Sequence, residues 1–433
     1  MASAPYGSVS LLCTQAALQR PRIPTLLSAF LTLLNDRLSE SIFLPLLPFL
    51  LEDFSSNGST VGLLSGTYAL SQFAVAPLIG ALSDRFGRKP IISLCVFGSV
   101  IGMGLFATTL TVPWQPIWPE AAAAGLPLAL LFLARVIDGA SGGTAATATA
   151  VLADITTPEN RAKAFGLIGV AFGLGFVLGP GLGGLLGDVN RILPAWAATA
   201  FAVANLIVVL GLLPETHPIN ARKQLPRRRE LNPVTLLARV FAKPEVRRLS
   251  IAFFGFFMAF NGFTTVLVLY LRNSFNWTEG MAGAAFALDG VIAMVVQGGL
   301  IGPLVKRFGE LRLTLVGLGL LTSGCLLVPM ATPNNSIPVV YTAVSLLALG
   351  TGLVTPCLRA LVSRRLGSDG QGSALGGLQG LQSLGTFLGA SAAGFSYDRI
   401  GVTSPFWFGS MMLIGVALLV AGSIRNRPET IQD

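Results

Sequence analysis

Twelve apolar runs of about 20 residues govern what this chain can become, because a helix of that length matches the hydrocarbon core of a bilayer. They fall at 25–51, 60–82, 91–111, 126–152, 164–187, 193–213, 249–271, 280–303, 312–331, 337–361, 372–395 and 403–423. In lipid every backbone donor and acceptor must be satisfied within the protein, which favours helices. Charged residues are 11% of the chain, about half the ~25% usual in soluble domains. Mean hydropathy is +0.71. Together these exclude a soluble enzyme, a disordered chain and a nucleic-acid binder. An all-α polytopic membrane protein with 12 transmembrane helices remains.

The longest polar interruption, His217 to Arg248, divides the spans six and six. The expected organisation is a tail (1–24), a first half (25–216), a basic linker (217–248), a second half (249–424) and a tail (425–433). With both termini cytoplasmic, the inside segments hold 23 of the 29 basic residues, and the outside loops hold only Arg191, Arg272 and Arg399. The positive-inside rule therefore sets the orientation. The N-terminal stretch, rich in Ser and Ala with Arg20 and Arg22 near its end, reads as a cytoplasmic tail, with a plastid transit peptide as the alternative. A plasma (inner) membrane location is expected. Cys13, Cys95, Cys325 and Cys357 are scattered without pairing or ligand spacing, and His217 is the single histidine. No disulfide, metal, cofactor or histidine-based catalysis is expected.

Between spans two and three stands Gly80-Ala-Leu-Ser-Asp84-Arg85-Phe-Gly87-Arg88-Lys89-Pro90, echoed by Gly299-Leu-Ile-Gly-Pro-Leu-Val-Lys306-Arg307-Phe-Gly309 between spans eight and nine. The first copy resembles the loop signature of the major facilitator superfamily, and the second lacks its aspartate. The resemblance implies two six-helix halves, each an inverted pair of three-helix repeats, around a central cavity. It further implies that Gly80, Asp84, Arg85, Gly87, Arg88 and Asp154 form a conformational latch. Asp84 would meet the helix that starts near Gln371 and Ser373, where the helix dipole favours a carboxylate. Arg88 would pair with Asp154.

Span five carries Gly175-Phe-Val-Leu-Gly179-Pro180-Gly181-Leu-Gly183-Gly184. Small residues at this spacing serve close helix packing. The Gly-Pro followed by Gly-Gly resembles the antiporter signature of the drug:proton exporters, which implies export. Leu213-Pro-Glu-Thr216, at the end of span six, also resembles the exporter pattern.

Charges inside spans are costly and functional by default. Asp36 and Glu40 share a face of span one, and Asp36 lies about 17 Å along it. Arg135 and Asp138 reach the same depth in span four, where Arg135-x-x-Asp138-Gly139 resembles the family motif Arg-x-x-Gln-Gly, with Asp138 in place of its glutamine. Asp36, Glu40 and Asp138 are expected to couple protons, since an unpaired buried carboxylate takes up a proton readily, and the resemblance implies that Arg135 takes part in the coupling. A static network of ion pairs tying spans one and four is the alternative. Asp289, deep in span eight, is a candidate anchor for a substrate cation. Phe257, Asn261 and Tyr270 on the phenylalanine-rich span seven are candidates for an aromatic wall, against plain helix packing. Tyr68, Gln72, Gln379 and Gln382 could add polar contacts. Arg359, about 33 Å into span ten, reads as an interfacial anchor with Arg364 and Arg365.

The expected function is a secondary transporter, a proton-coupled antiporter exporting hydrophobic cationic or zwitterionic small molecules by alternating access. It resembles the tetracycline and multidrug branch of the superfamily. The alternative is a symporter or facilitator importing a nutrient. Small-molecule substrate, protons and the bilayer are the expected partners, with no nucleic acid and a monomeric state. No nucleophile–base or metal constellation points to an enzyme.

Overall fold

The computed structural model describes residues 23–54, 57–156, 161–222, 232–242, 244–366 and 371–422. The N-terminal stretch to residue 22, most of the basic linker and the C-terminal tail lie outside the described residues, as do the side chains of Arg161, Lys163, Arg364, Arg365, Gln371 and Ser373. Within the described residues the chain is all helix and turn: an all-α polytopic membrane protein.

Among the described residues, ten helices are long and apolar enough to cross a membrane. The other two run through the first and eleventh apolar runs. Span one is the helix Ile23–Ser41, and Asp36, Arg37 and Glu40 make it too charged for a simple apolar span. Span eleven, Gln371–Arg399, is rich in Gly, Ser and Gln. Span one packs on spans five and six, and span eleven on spans two and seven.

Several spans are interrupted where the sequence removes hydrogen bonds or side chains. After Ser41 the chain continues through a 3₁₀ turn, Leu44–Leu46, and a short helix, Leu47–Leu50, because Pro45 and Pro48 lack the donors of a continuing helix. Span four breaks at Ser141-Gly-Gly143 between Leu126–Ala140 and Thr144–Ile155. Span eight, from Glu279, widens into a π turn at Val296–Leu300, around Gly298 and Gly299, a distortion common at functional sites. Span five, by contrast, runs unbroken through Pro180 from Arg161 to Val189.

The polar stretch between the sixth and seventh runs contains a helix of its own, Pro233–Ala242. Leu237 and Phe241, one turn apart, pack it against the core, and it lies on span eleven. Span seven then begins at Pro244 and runs to Phe275.

Spans one to six pack on each other, and spans seven to twelve do the same. The two sets meet along two seams, span two against span eleven and span five against span eight. At the end of the molecule holding Gly58 both seams are closed by backbone contact. A Cβ on Gly62 would collide with the Ala390 carbonyl, and Gly184 and Gly283 lie backbone to backbone. At the opposite end, which holds Asp84, a Cβ on Gly80, Gly169, Gly298, Gly299 or Gly302 would meet nothing within 4 Å among the described residues. The final piece of span eight, Ile301–Phe308, buries none of its residues.

Candidate functional site

The charged face of span one is the starting point. Arg37 Nη2 donates to Asp36 at 2.6 Å, and its Nη1 meets Glu40 one turn on. Span four brings Arg135, whose Nη1 donates to Asp138 at 3.1 Å. Arg135 is 2% exposed and lies between aromatic faces, 4.6 Å from the Tyr68 ring centre and 5.3 Å from that of Phe43. Such stacking suits a guanidinium, whose two faces are weakly hydrated.

Asp36, Arg37, Glu40, Tyr68 and Asp138 surround one small polar cavity, which Ser39, Ser99 and Asn205 complete. Its volume of about 10 Å³ is room for about one water. Among the described residues, the Nε atoms of Arg37 and Arg135 are buried without an acceptor, as is the Asn205 Oδ1 without a donor. Three carboxylates thus face two guanidiniums, and donors are left over for a transient partner. Ser39, Ser99 and Asn205 are uncharged and went unnoticed in the sequence.

Span five packs directly against this cluster. A Cβ on Gly175 would strike the Arg37 side chain. One at Gly179 would strike Ser41, and one at Gly183 the Ile42 carbonyl. These three glycines, four residues apart, form one helix face on which span one rests, and Ser41 Oγ donates to the Gly175 carbonyl at 2.8 Å. Gly184 turns the other way, onto span eight. The span-five signature is therefore the joint between the charged cluster and the second set of helices.

At the Asp84 end, Arg88 Nη1 donates to Asp84 at 2.6 Å and its Nε to Asp154 at 2.9 Å. Gly87 has φ +109°, a conformation open to glycine, and lies against the Glu215 carboxylate. Glu215 in turn accepts from the backbone N–H of Arg88 at 2.9 Å and caps span three. The Leu213-Pro-Glu-Thr216 motif thus secures the loop. Gly80 and Arg85 are exposed.

The Gly58 end is held by two acids absent from the sequence expectations. Asp398, at the end of span eleven, accepts from the backbone N–H of Gly58 and Ser59 at 2.8 and 2.7 Å. Asp188, at the end of span five, accepts from the N–H of Gly280 at 2.9 Å. Each acid caps a helix of the other set, one on each seam. An acid at the C-terminal end of its own helix opposes that helix's dipole, so Gly187-Asp188 and Tyr397-Asp398 carried a signal that a partner lay elsewhere. Arg272 and Arg191 both meet Glu52 at the same end.

The second set of helices treats its charges differently. Asp289 shares an apolar pocket of about 20 Å³ with Phe260, Thr264, Leu267, Phe286, Val344 and Leu347. Among the described residues no cation lies within ion-pair distance of it.

Two expectations for span seven are corrected. Phe257 and Tyr270 are 6% and 4% exposed and belong to the packed core: Phe257 lies between Phe253 and Phe256, and Tyr270 meets Phe406 and Phe275. The stripe serves helix packing there, and Asn261 donates to the Phe257 carbonyl of its own helix. Phe260, stacked on Phe256 and edge-on to Phe263, also lines the Asp289 pocket.

Gln72 donates to the Gly142 carbonyl at 3.1 Å and accepts from Ser383 at 3.1 Å across the seam. Gln382 accepts from Arg359 at 2.9 Å, and Gln379 is partly buried one turn earlier. That contact corrects the reading of Arg359 as an interfacial anchor: its long side chain reaches inward to the middle of span eleven.

Comparison with known proteins accounts for this architecture. The family model of the Major Facilitator Superfamily matches residues 28–385 and 300–432. The class C tetracycline resistance protein of Escherichia coli is 33% identical over 391 residues, covering 89% of this chain and 92% of that protein. Multidrug resistance protein 2 of Bacillus subtilis (strain 168) is 28% identical over 392 residues, 87% of this chain and 90% of that one. Among solved structures, the human organic anion transporter MFSD10 (TETRAN) superposes with a TM-score of 0.70 at 27% identity, covering 93% of this chain and all of that one. With the family matched from end to end and drug-resistance relatives of nearly equal length, the chain belongs to the Major Facilitator Superfamily and is an integral membrane transporter rather than an enzyme.

Proposed function

We propose that the chain is a proton-coupled antiporter that exports hydrophobic cationic or zwitterionic small molecules by alternating access. It acts as a monomer in the plasma (inner) membrane, with both termini and the Asp84 end in the cytoplasm. The observation that carries this reading is the imbalance of the buried cluster, in which three carboxylates face two guanidiniums. One proton neutralises the cluster, and one proton lost leaves a net negative charge in a place where charge is expensive.

The packing supplies a route from proton to motion. Arg37 is shared between Asp36 and Glu40, so a proton on Glu40 releases the guanidinium towards Asp36. Gly175 of span five rests on Arg37, and the same helix meets span eight through Gly184. A shift of Arg37 is therefore felt at the seam between the two sets of helices. The closed Gly58 end and the open Asp84 end support an inward-facing state, with Asp188 and Asp398 holding the outer gate shut. In the outward-facing state Asp84 would take up the latch role at the start of span eleven. The tetracycline and multidrug resistance relatives support export over import.

The test uses purified protein in liposomes with an internal pH-sensitive dye and an imposed pH gradient. Substrate-triggered proton movement opposite to the substrate, lost in Glu40→Gln, is the expected result. Proton movement in the same direction as substrate would replace the antiporter by a symporter.

A further inference from the structure

We propose that Arg359, presented by Gln382, is an anion-binding subsite, and that the molecules this protein carries bear a carboxylate in addition to any basic group. The proposal deepens the export reading and rests on it.

Three other arginines in the helices are neutralised by carboxylates. Arg37 meets Asp36 and Glu40, Arg135 meets Asp138, and Arg88 meets Asp84 and Asp154. Arg359 has a single hydrogen bond among the described residues, from Nη2 to the neutral Oε1 of Gln382, and no carboxylate within ion-pair distance. A guanidinium has five donors, so most of its hydrogen-bonding capacity is unspent.

Its position is central. Gln382 stands about 16 Å from the start of span eleven, close to the middle of that helix. Ser383 beside it bonds Gln72 of span two, so the subsite lies on the seam where the two sets of helices meet. Gln72 is spent on both sides, since its amide also donates to Gly142. Gln382 uses its oxygen to hold Arg359, which leaves its amide nitrogen as a further donor. Arg359, Gln379 and Gln382 are only partly buried, so a ligand can reach them.

A cation left uncompensated at this depth is costly, and an incoming anion relieves that cost. The planar fork of an arginine suits a carboxylate, which it binds through two parallel hydrogen bonds. Asp289, the uncompensated acid of the same set of helices, leaves a counter-charge for a basic group.

Three fluorescent probes test the proposal on the full chain in detergent, without a gradient: ε-dansyl-lysine, its methyl ester, and its Nα-acetyl derivative. The wild type should bind the two acid-bearing probes more tightly than the ester. Arg359→Gln should weaken those two about 10- to 100-fold, the range of a charged hydrogen bond, and leave the ester unchanged. Gln382→Ala, which keeps the charge but frees the side chain, should give a smaller loss with the same selectivity. Equal binding of acid and ester by the wild type, or equal weakening of both in Arg359→Gln, would make Arg359 a structural cation and overturn the subsite. Failure of the export reading looks different: selectivity would be intact in detergent, but no proton would move in liposomes.

Discussion

The first six helices hold their buried charges as a network, while the last six hold theirs one at a time. In the network, Arg37 and Arg135 each lie against carboxylates and aromatic rings, and nothing charged stands alone. In the other set Asp289 sits in an apolar pocket, and Arg359 has a glutamine for company. A network with one carboxylate in excess responds to a change in proton count, whereas an isolated charge responds to a ligand of opposite sign. Under the proposed antiport, coupling belongs to one half of the molecule and recognition to the other.

Stability should break along the same line. Arg135→Leu strands Asp138 in a site where the arginine is 2% exposed, and the expected loss is about 3–5 kcal/mol. Denaturant titration in mixed micelles would read it. Gly183→Ala comes next, at about 1–3 kcal/mol from overpacking, because its Cβ would strike the rigid Ile42 carbonyl. Gly169→Ala, with nothing within 4 Å among the described residues, is the control and should be neutral or stabilising by about 0.5–1 kcal/mol.

Asp84→Asn should cost less than about 1 kcal/mol, since Asp84 is 42% exposed. Its expected effect is kinetic: slower conformational exchange, seen as reduced turnover with unchanged substrate affinity. A large loss of affinity would remove Asp84 from the latch. The smallest changes are expected in the second half, where Asp289→Asn and Arg359→Leu each remove a charge that has no partner to strand. Both should stay within about 1 kcal/mol of wild type, with either sign. A loss in Arg359→Leu as large as that in Arg135→Leu would erase the contrast between the halves.

Much of this arrangement was legible in the sequence where a signal is local. Run length located the spans, and the spacing of Gly175, Gly179 and Gly183 marked one helix face before a partner was known. The charged positions of spans one and four announced themselves by their cost in lipid. What stayed hidden depends on reach and on partners distant in the chain. Arg359 was placed by its Cα, but a long side chain carries its charge well away from that depth. The phenylalanine stripe could not reveal which ring lines the pocket, so Phe257 stood where Phe260 belongs. Asp188 and Asp398 cap helices about 90 and 340 positions away, a pairing no local pattern contains.

The division between coupling and recognition is tested most directly by proton release on substrate binding. Purified protein in weakly buffered detergent, with an indicator dye, would be mixed with a transported zwitterion. Wild type should release a proton as substrate binds. Asp289→Asn should bind more weakly yet still release it at saturation, and Glu40→Gln should bind without release. Normal release from Glu40→Gln, with release lost in Asp289→Asn, would place the coupling proton in the second half and contradict the account.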